Sequence, residues 1–369
     1  MIRVKKLESK MAGANISAGF RLMPARTILF LAAASRIGIT IALSALFLFG
    51  TACNLVHKQV AVEKLLSPLS DATTAELVAQ VNKLATARSL HGRIDIQFED
   101  TSFASVGIAE KYRIADGSIT VQRPGKIYLI VQGPLAIDIA QMTSDGEHFR
   151  IAIIKGEEKY RRFVSGSNNA VYQKLETDGS NPASKGKRQA EAQTVQALSN
   201  LRPQHLTDAL MASQIDLHAP GLIYAQSEFF QSEKDPSQTG SKRVMRGYYF
   251  LDELRPGADG TARLLRRFWF DRVNGIRLAR LQTFNDSGML VTDVNYGPLA
   301  RFGETGALLP AKIGLTRPQD HYQITITYQD PASVTVDHEY PPEAFVLENK
   351  WKLTEVDLDA QKKQTSPDN

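Results

Sequence analysis

Arg93-Ile94-Asp95-Ile96-Gln97-Phe98-Glu99 alternates strictly between polar and apolar residues. Successive side chains of a strand point to opposite faces, so Ile94, Ile96 and Phe98 share one face and the charges share the other. A half-buried strand of this kind belongs to an antiparallel sheet, not to a doubly wound parallel one. On its N-terminal side, Asp71 to Ser89 reads as a helix. Thr73 and Glu76 form a capping-box signature, and Leu77, Val78, Val81, Leu84 and Arg88 recur at helical spacing.

On its C-terminal side the spacing predicts a meander. Its strands are Ala104–Ile114, Gly117–Gln122, Ile127–Gln132, Ile137–Met142, Phe149–Ile154 and Lys159–Val164, separated by turn pairs such as Asp116-Gly117, Pro124-Gly125 and Asp145-Gly146. The pattern lapses over residues 165–188, read as a flexible insertion. It resumes with helical composition that divides at Pro203, placing a second helix at Pro203–Met211. A second meander is expected at Leu222–Gln231, Arg243–Leu251, Ala262–Asp271, Arg277–Phe284 and Met289–Tyr296, closing with Lys312–Thr316, His321–Tyr328 and Ala332–His338. The sum is a mostly β (α+β) domain over 71–358 with about a dozen strands, followed by a disordered tail at 359–369. A long antiparallel sheet curls and must cover its apolar face, and the helices are the cover at hand.

The charge balance is local. Of 44 Lys and Arg and 39 Asp and Glu, residues 1–36 hold seven cations and one anion, residues 37–52 hold none, and from Cys53 onward 37 cations face 38 anions. The basicity therefore belongs to a leader. Ile37 to Phe49 is uncharged and almost wholly apolar, and Gly50, Thr51 and Ala52 lead into Cys53, the single cysteine of the chain. A basic n-region, an apolar h-region and a small-residue exit make a signal peptide at 1–52, with either Met1 or Met23 as its start. The exit resembles the lipobox of bacterial lipoproteins, with Gly50 standing where Leu is usual. That resemblance implies acylation of Cys53, a tether over 53–70 and a lipid-anchored place in the cell envelope, on the outer membrane facing the periplasm. An uncleaved signal anchor is the alternative, and it also exports the rest of the chain.

Gly117-Ser118-Ile119-Thr120-Val121-Gln122-Arg123-Pro124, Gly133-Pro134 and Ser144-Asp145-Gly146 resemble the first hairpins of the lipoprotein carrier and receptor proteins of the bacterial Lol pathway (LolA and LolB). Phe270-Asp271, Gly275, Leu281, Ser287-Gly288, Tyr296, Pro310 and Ile313 look like the later half of that family, and Thr335-Val336-Asp337 with Tyr340-Pro341-Pro342 like its close. The resemblance implies a curved antiparallel half-barrel whose open face is covered by helices and whose apolar cavity receives acyl chains or lipoproteins. In the membrane-anchored receptor an exposed apolar loop residue inserts lipid; no position here is marked for that role. The candidate cavity residues are Ile94, Ile96, Phe98, Ile127, Leu129, Val131, Ile151 and Ile153, which serve equally well as plain core.

Enzymatic chemistry finds little support. None of His57, His91, His148, His205, His218, His321 and His338 is spaced for a metal site, and no nucleophile elbow or phosphate loop occurs. No cofactor and no metal is expected. Asp145 with His148 reads as turn chemistry, and His338-Glu339 as a strand end. Arg263, Arg266, Arg267, Arg272, Arg277 and Arg280 crowd around Phe268-Trp269-Phe270. They make either a docking hairpin for lipid phosphates or an acidic partner, or a solvated outer face over buried Phe268, Phe270, Leu278 and Leu281. Export excludes nucleic acid. The expected partners are the membrane through Cys53, an acyl chain or lipoprotein as ligand, and an envelope protein. The function so read is non-enzymatic carriage or acceptance of acyl chains. The alternative is an accessory or scaffolding lipoprotein with the same fold and a filled core.

Overall fold

Two antiparallel meanders meet along one seam. A computed structural model describes residues 62–101, 110–111, 115–156, 158–170, 172, 201–235 and 242–365. The leader, Cys53 with its lipobox, most of the 104–114 strand, most of the 165–188 insertion and the last residues of the tail lie outside the described residues.

The first meander runs β2 (Ser89–Asp100), β4 (Ala115–Gln122), β5 (Lys126–Gln132), β6 (Asp138–Asp145), β7 (His148–Ile153) and β8 (Arg162–Ser167), with a two-residue β3 (Glu110–Lys111) beside β2. The second runs β9 (Ile223–Lys234), β10 (Arg243–Pro256), β11 (Ala262–Asp271), β12 (Arg277–Phe284), β13 (Leu290–Tyr296), β16 (Lys312–Arg317) and β17 (Tyr322–Tyr328). The last strand returns to the free edge of β2, pairing Tyr322–Tyr328 with Ile94–Asp100. The sheet is open: β9 forms one edge, and β19 (Thr354–Asp357) forms the other by pairing in parallel with β8. Short strands β1 (Lys64–Leu65) and β18 (Thr335–Val336) add to β10 and β2, and β14 (Leu299–Phe302) with β15 (Ala307–Pro310) makes a separate hairpin.

Register makes one sheet face continuously apolar. Leu251, Phe268, Leu281, Val294, Leu315, Ile324 and Phe98 lie opposite one another from β10 to β2. Ile119, Leu129, Met142, Ile151, Val164 and Val356 continue a second row from β4 to β19. Against this face pack Leu77, Val78 and Val81 of helix α1 (Thr74–Leu84) and Leu206 and Ala209 of helix α2 (Pro203–Leu210), all in one buried cluster with the strands. The capping box is formed: the Thr73 hydroxyl accepts from the Glu76 N–H, and the Glu76 carboxylate accepts from the Thr73 N–H at 2.7 Å. Pro203 occupies the first turn of α2, where its missing N–H costs nothing.

Several expectations are corrected. Among the described residues there are nineteen strands, seventeen of them in one sheet, where about a dozen were expected. β1, β14, β15 and β19 are too short to show a periodicity. The expected strand Ala332–His338 shrinks to β18, because Pro331–Ser333 forms a 3-10 turn. β8 begins at Arg162 because Glu158–Tyr160 forms a 3-10 turn, and it runs to Ser167, into the expected insertion. The tail is not wholly disordered. Leu358–Thr365 forms helix α3, opened by the Asp357 carboxylate accepting from the N–H groups of Asp359 and Ala360. Leu358 is buried, and Asp359 accepts hydrogen bonds from the hydroxyls of Tyr172 and Ser167. These contacts join residues far apart in sequence, which composition does not reveal. Among the described residues no helix is long and apolar enough to cross a membrane.

Gly117 marks the tightest place in the first meander. A Cβ there would lie 2.4 Å from the carbonyl oxygen of Ile130, a backbone atom that cannot swing aside. Gly117→Ala is expected to destabilise the domain by about 1–3 kcal/mol in urea unfolding. Gly314→Ala, whose nearest atom lies at 3.9 Å, should leave the midpoint within experimental error.

Candidate functional site

The eight residues chosen as cavity candidates come together. Ile94, Ile96, Phe98, Ile127, Leu129, Val131, Ile151 and Ile153 are all buried and belong to the cluster that holds the inner faces of α1 and α2. In this state the helices occupy the space above the sheet. The enclosed cavity between the helix ends and the sheet measures about 20 Å³ and is lined by Leu84, Leu90, Met211, Phe302, Ile313 and Tyr328, among others, and by none of the eight. That volume suits one water-sized group.

The helices are held by polar contacts at their ends. Arg123, at the turn after β4, donates from Nε to the Ala87 carbonyl at 3.0 Å and from Nη2 to the Ala212 carbonyl at 2.8 Å. One guanidinium thus joins the chain leaving α1 to the chain leaving α2. Its planar fork holds both carbonyls in fixed geometry, which a lysine ammonium does not. The Asn82 side chain donates to the Ile215 carbonyl at 2.9 Å and accepts from the Ile215 N–H at 2.7 Å. Further bonds reach the sheet: Gln226 Nε2 to the Ala72 carbonyl at 2.9 Å, and the Tyr296 hydroxyl to the Ala209 carbonyl at 3.2 Å. Between these ends the contact is apolar.

His205 is the exception on α2. Its Nδ1 shares a 3.1 Å hydrogen bond with the Tyr322 hydroxyl at the seam. Burial, together with the positive charges of Arg317 and Arg202, lowers its pKa to about 3 against a partial offset from Asp320. The imidazole is therefore neutral at physiological pH. Burial also raises the Tyr322 phenol, which keeps its proton.

The other candidates resolve as structural parts. Asp145 Oδ1 accepts from the N–H groups of Glu147 and His148 at 2.9 and 2.7 Å, closing a turn. Burial opposes its ionisation, but those donors outweigh it and hold the carboxyl below its ordinary range. His338 packs edge-on against Tyr340. Among the described residues no group of His, Cys, Asp or Glu could hold a metal ion. Each arginine of the dense cluster has a carboxylate partner: Arg267 with Asp252 at 2.7 Å, Arg280 with Asp293, Arg266 with Glu253, Arg272 with Asp71 and Glu228, Arg277 with Asp271, and Arg263 with Asp286 at 4.0 Å. Phe268, Phe270, Leu278 and Leu281 are buried, as the solvated-face reading expects, but Arg272 is buried with them and stacks on Tyr249 instead of facing solvent. Guanidiniums so occupied offer little to a phosphate.

Two features were missed from sequence. Arg123 was noted only as part of a family motif, although a cation before a turn proline is itself ordinary. Leu135 lies in the β5–β6 loop and is 92% exposed, with Ile137 beside it at 47%. Leu135 and Ala136 both adopt left-handed backbone, at φ 63° and 55°. Two adjacent non-glycine residues held so cost on the order of 1–2 kcal/mol each, with no packing in return.

No family model and no curated protein matches the chain. Among solved structures it is similar to a LolA superfamily protein from Nitrosomonas europaea (9% identity, 75% of this chain and 99% of that one, TM-score 0.36). It is also similar to a DUF1329 family protein from Desulfovibrio piger (10%, 73% and 95%, TM-score 0.37). A third is a putative outer membrane lipoprotein-sorting protein domain from Vibrio parahaemolyticus (8%, 73% and 94%, TM-score 0.37). With TM-scores below 0.5, the functional reading rests on the residues of this chain.

His205 gives the stability of the domain a measurable pH dependence. The unfolded chain takes up its imidazole proton near 6.5, whereas the folded chain resists it until about 3. Stability from this group is complete above pH 6.5 and falls as the pH drops toward 3, by up to about 1.4 kcal/mol per unit. His205→Gln should flatten that slope by about one proton in denaturation curves taken between pH 4 and 7.

Proposed function

We propose that the chain is a lipid-anchored envelope lipoprotein, held to the membrane through acylated Cys53, that binds acyl chains or lipoproteins in an apolar cavity and carries or accepts them without catalysis. The cavity forms when α1 and α2 lift from the open sheet. The observation that carries this reading is the nature of the cover. The apolar face is closed by two short helices fastened at their ends, with Arg123 joining both, and beside them only the small β14–β15 hairpin adds Phe302 and Leu309 to the cover.

The magnitudes permit exchange. Lifting the helices exposes Leu77, Val78, Val81 and Leu206, at about 1.5–3 kcal/mol each. An acyl chain of about fourteen methylenes gains roughly 11 kcal/mol on burial, at ~0.8 kcal/mol per methylene. The two are comparable, so a ligand can replace the lid without a large net change. Leu135, exposed at a strained loop, suits the loop residue that the resemblance assigns to lipid insertion.

A second reading has its own support. The 20 Å³ cavity is what a filled core looks like, and a scaffolding lipoprotein needs no more.

Native mass spectrometry of protein purified from membranes separates the two. The carrier reading expects a bound lipid, released as the helices are destabilised. Protein free of lipid, and unable to take up a fluorescent fatty acid, contradicts it. Arg123→Gln should speed uptake of that probe at least about ten-fold, since it removes two charge-assisted hydrogen bonds of about 1.5–3 kcal/mol each. An unchanged rate means that the lid does not open by this route.

A further inference from the structure

Beside the Leu135 loop, three chain segments converge at one end of the sheet. They are the β5–β6 loop, the connection from β7 to β8 over residues 154–161, and residues 349–353, which lead into β19. Ala136, Ile137, Ile154, Lys155, Arg161 and Trp351 line an open groove of about 580 Å³ between them. Trp351 is half-buried against a small satellite core of Ala152, Ile154, Phe163, Leu347 and Leu353 on the outer side of β7 and β8. The C-terminal segment thus brings an aromatic ring to the place where the apolar loop emerges.

The charge of this end is positive. Residues 154–161 and 349–353 hold Lys155, Lys159, Arg161, Lys350 and Lys352 against Glu157 and Glu158. Lys159 lies over the Tyr160 ring at 4.6 Å. Asp138, which also lines the groove, is engaged by the side-chain amides of Gln132 and Gln141 at 3.0 and 2.8 Å. Arg161 Nε is buried without a hydrogen-bond partner.

An exposed leucine and isoleucine flanked by a tryptophan and several cations match the layers of a membrane surface. The apolar tip suits the acyl boundary, the indole the headgroup level, and the cations the phosphates. We propose that this end of the sheet docks on a bilayer containing anionic phospholipid, with Lys155 and Arg161 receiving the headgroup phosphate. The proposal takes from the carrier reading the premise that the chain works at a membrane, and adds the surface and the lipid class. Docking here would set the Leu135 loop into the bilayer beside the lid-covered face, so that a released chain need not cross water.

The test is vesicle sedimentation of residues 63–369, which form a compact unit without the leader or its lipid. Vesicles of phosphatidylcholine alone are compared with vesicles containing phosphatidylglycerol. Binding to the anionic vesicles is expected, weakening with salt. The doubly substituted Lys155→Gln, Arg161→Gln protein should bind them roughly 30-fold more weakly with its urea midpoint unchanged, given the usual contribution of a basic residue near such a surface. As a control, Arg267→Gln on the paired hairpin should leave vesicle binding as it was. No binding to anionic vesicles, equal binding to neutral ones, or indifference to the double substitution overturns the proposal. A protein that docks but never carries lipid overturns the carrier reading alone. One that carries lipid but does not dock overturns only the docking.

Discussion

The pairing of β2 with β17 is the contact on which the rest depends. Each meander folds from neighbours in sequence, but each alone presents only part of an apolar face. The seven paired positions from Ile94–Tyr328 to Asp100–Tyr322 join the two faces into one. On the inner side of the seam Ile94, Ile96 and Phe98 meet Tyr328, Ile326 and Ile324, so the strict alternation of both strands is satisfied by one register. A slip of one residue would turn every one of those side chains to the opposite face. This is the non-local step, and its loop-closure cost is met only by contacts that form after it.

Once the seam closes, the joined face must be covered. A second sheet would bury it permanently, as in a sandwich. Here α1 and α2 pack on it with the small β14–β15 hairpin beside them, each helix too short to be stable in isolation and dependent on the face it shields. Their ends are pinned by Arg123, Asn82 and Gln226, while the stretch between is held by contacts that an acyl chain can imitate. On the proposed carrier reading, directional bonds at the rim and non-directional ones beneath let the cover leave as a unit. His205 adds a neutral polar group that tolerates its position only while it stays unprotonated.

Much of this was legible in the sequence, for identifiable reasons. The alternation in 93–99, the capping box at Thr73 and Glu76, and the boundaries of Ala262–Asp271 and Arg277–Phe284 follow from periodicities of two and of 3.6 residues, which burial on one face imposes. The eight candidate positions were found together because each lies on the apolar parity of its strand. What escaped the sequence was non-periodic or non-local. β19 has one inward apolar residue, Val356, and pairs with a strand far upstream. The tail helix is ordered by Tyr172 and Ser167. Leu135 reads as an ordinary turn residue until its backbone angles and exposure are known. Arg123 gains its meaning only from two carbonyls that no local pattern places beside it. The arginine cluster was legible as charge over buried Phe268 and Phe270, but not the carboxylates brought opposite by the register of β10 and β13.

The central claim is that the apolar face is one surface with two alternative covers, the helices or a lipid. Hydrogen exchange on the purified protein, with and without a long-chain fatty acid, addresses it directly. Amides of residues 74–84 and 203–210 are expected to lose protection on loading, while those of β5 and β7 keep theirs, because the sheet stays and the cover is exchanged. Unchanged protection in both helices at saturating fatty acid would contradict the account and leave the face as permanent core.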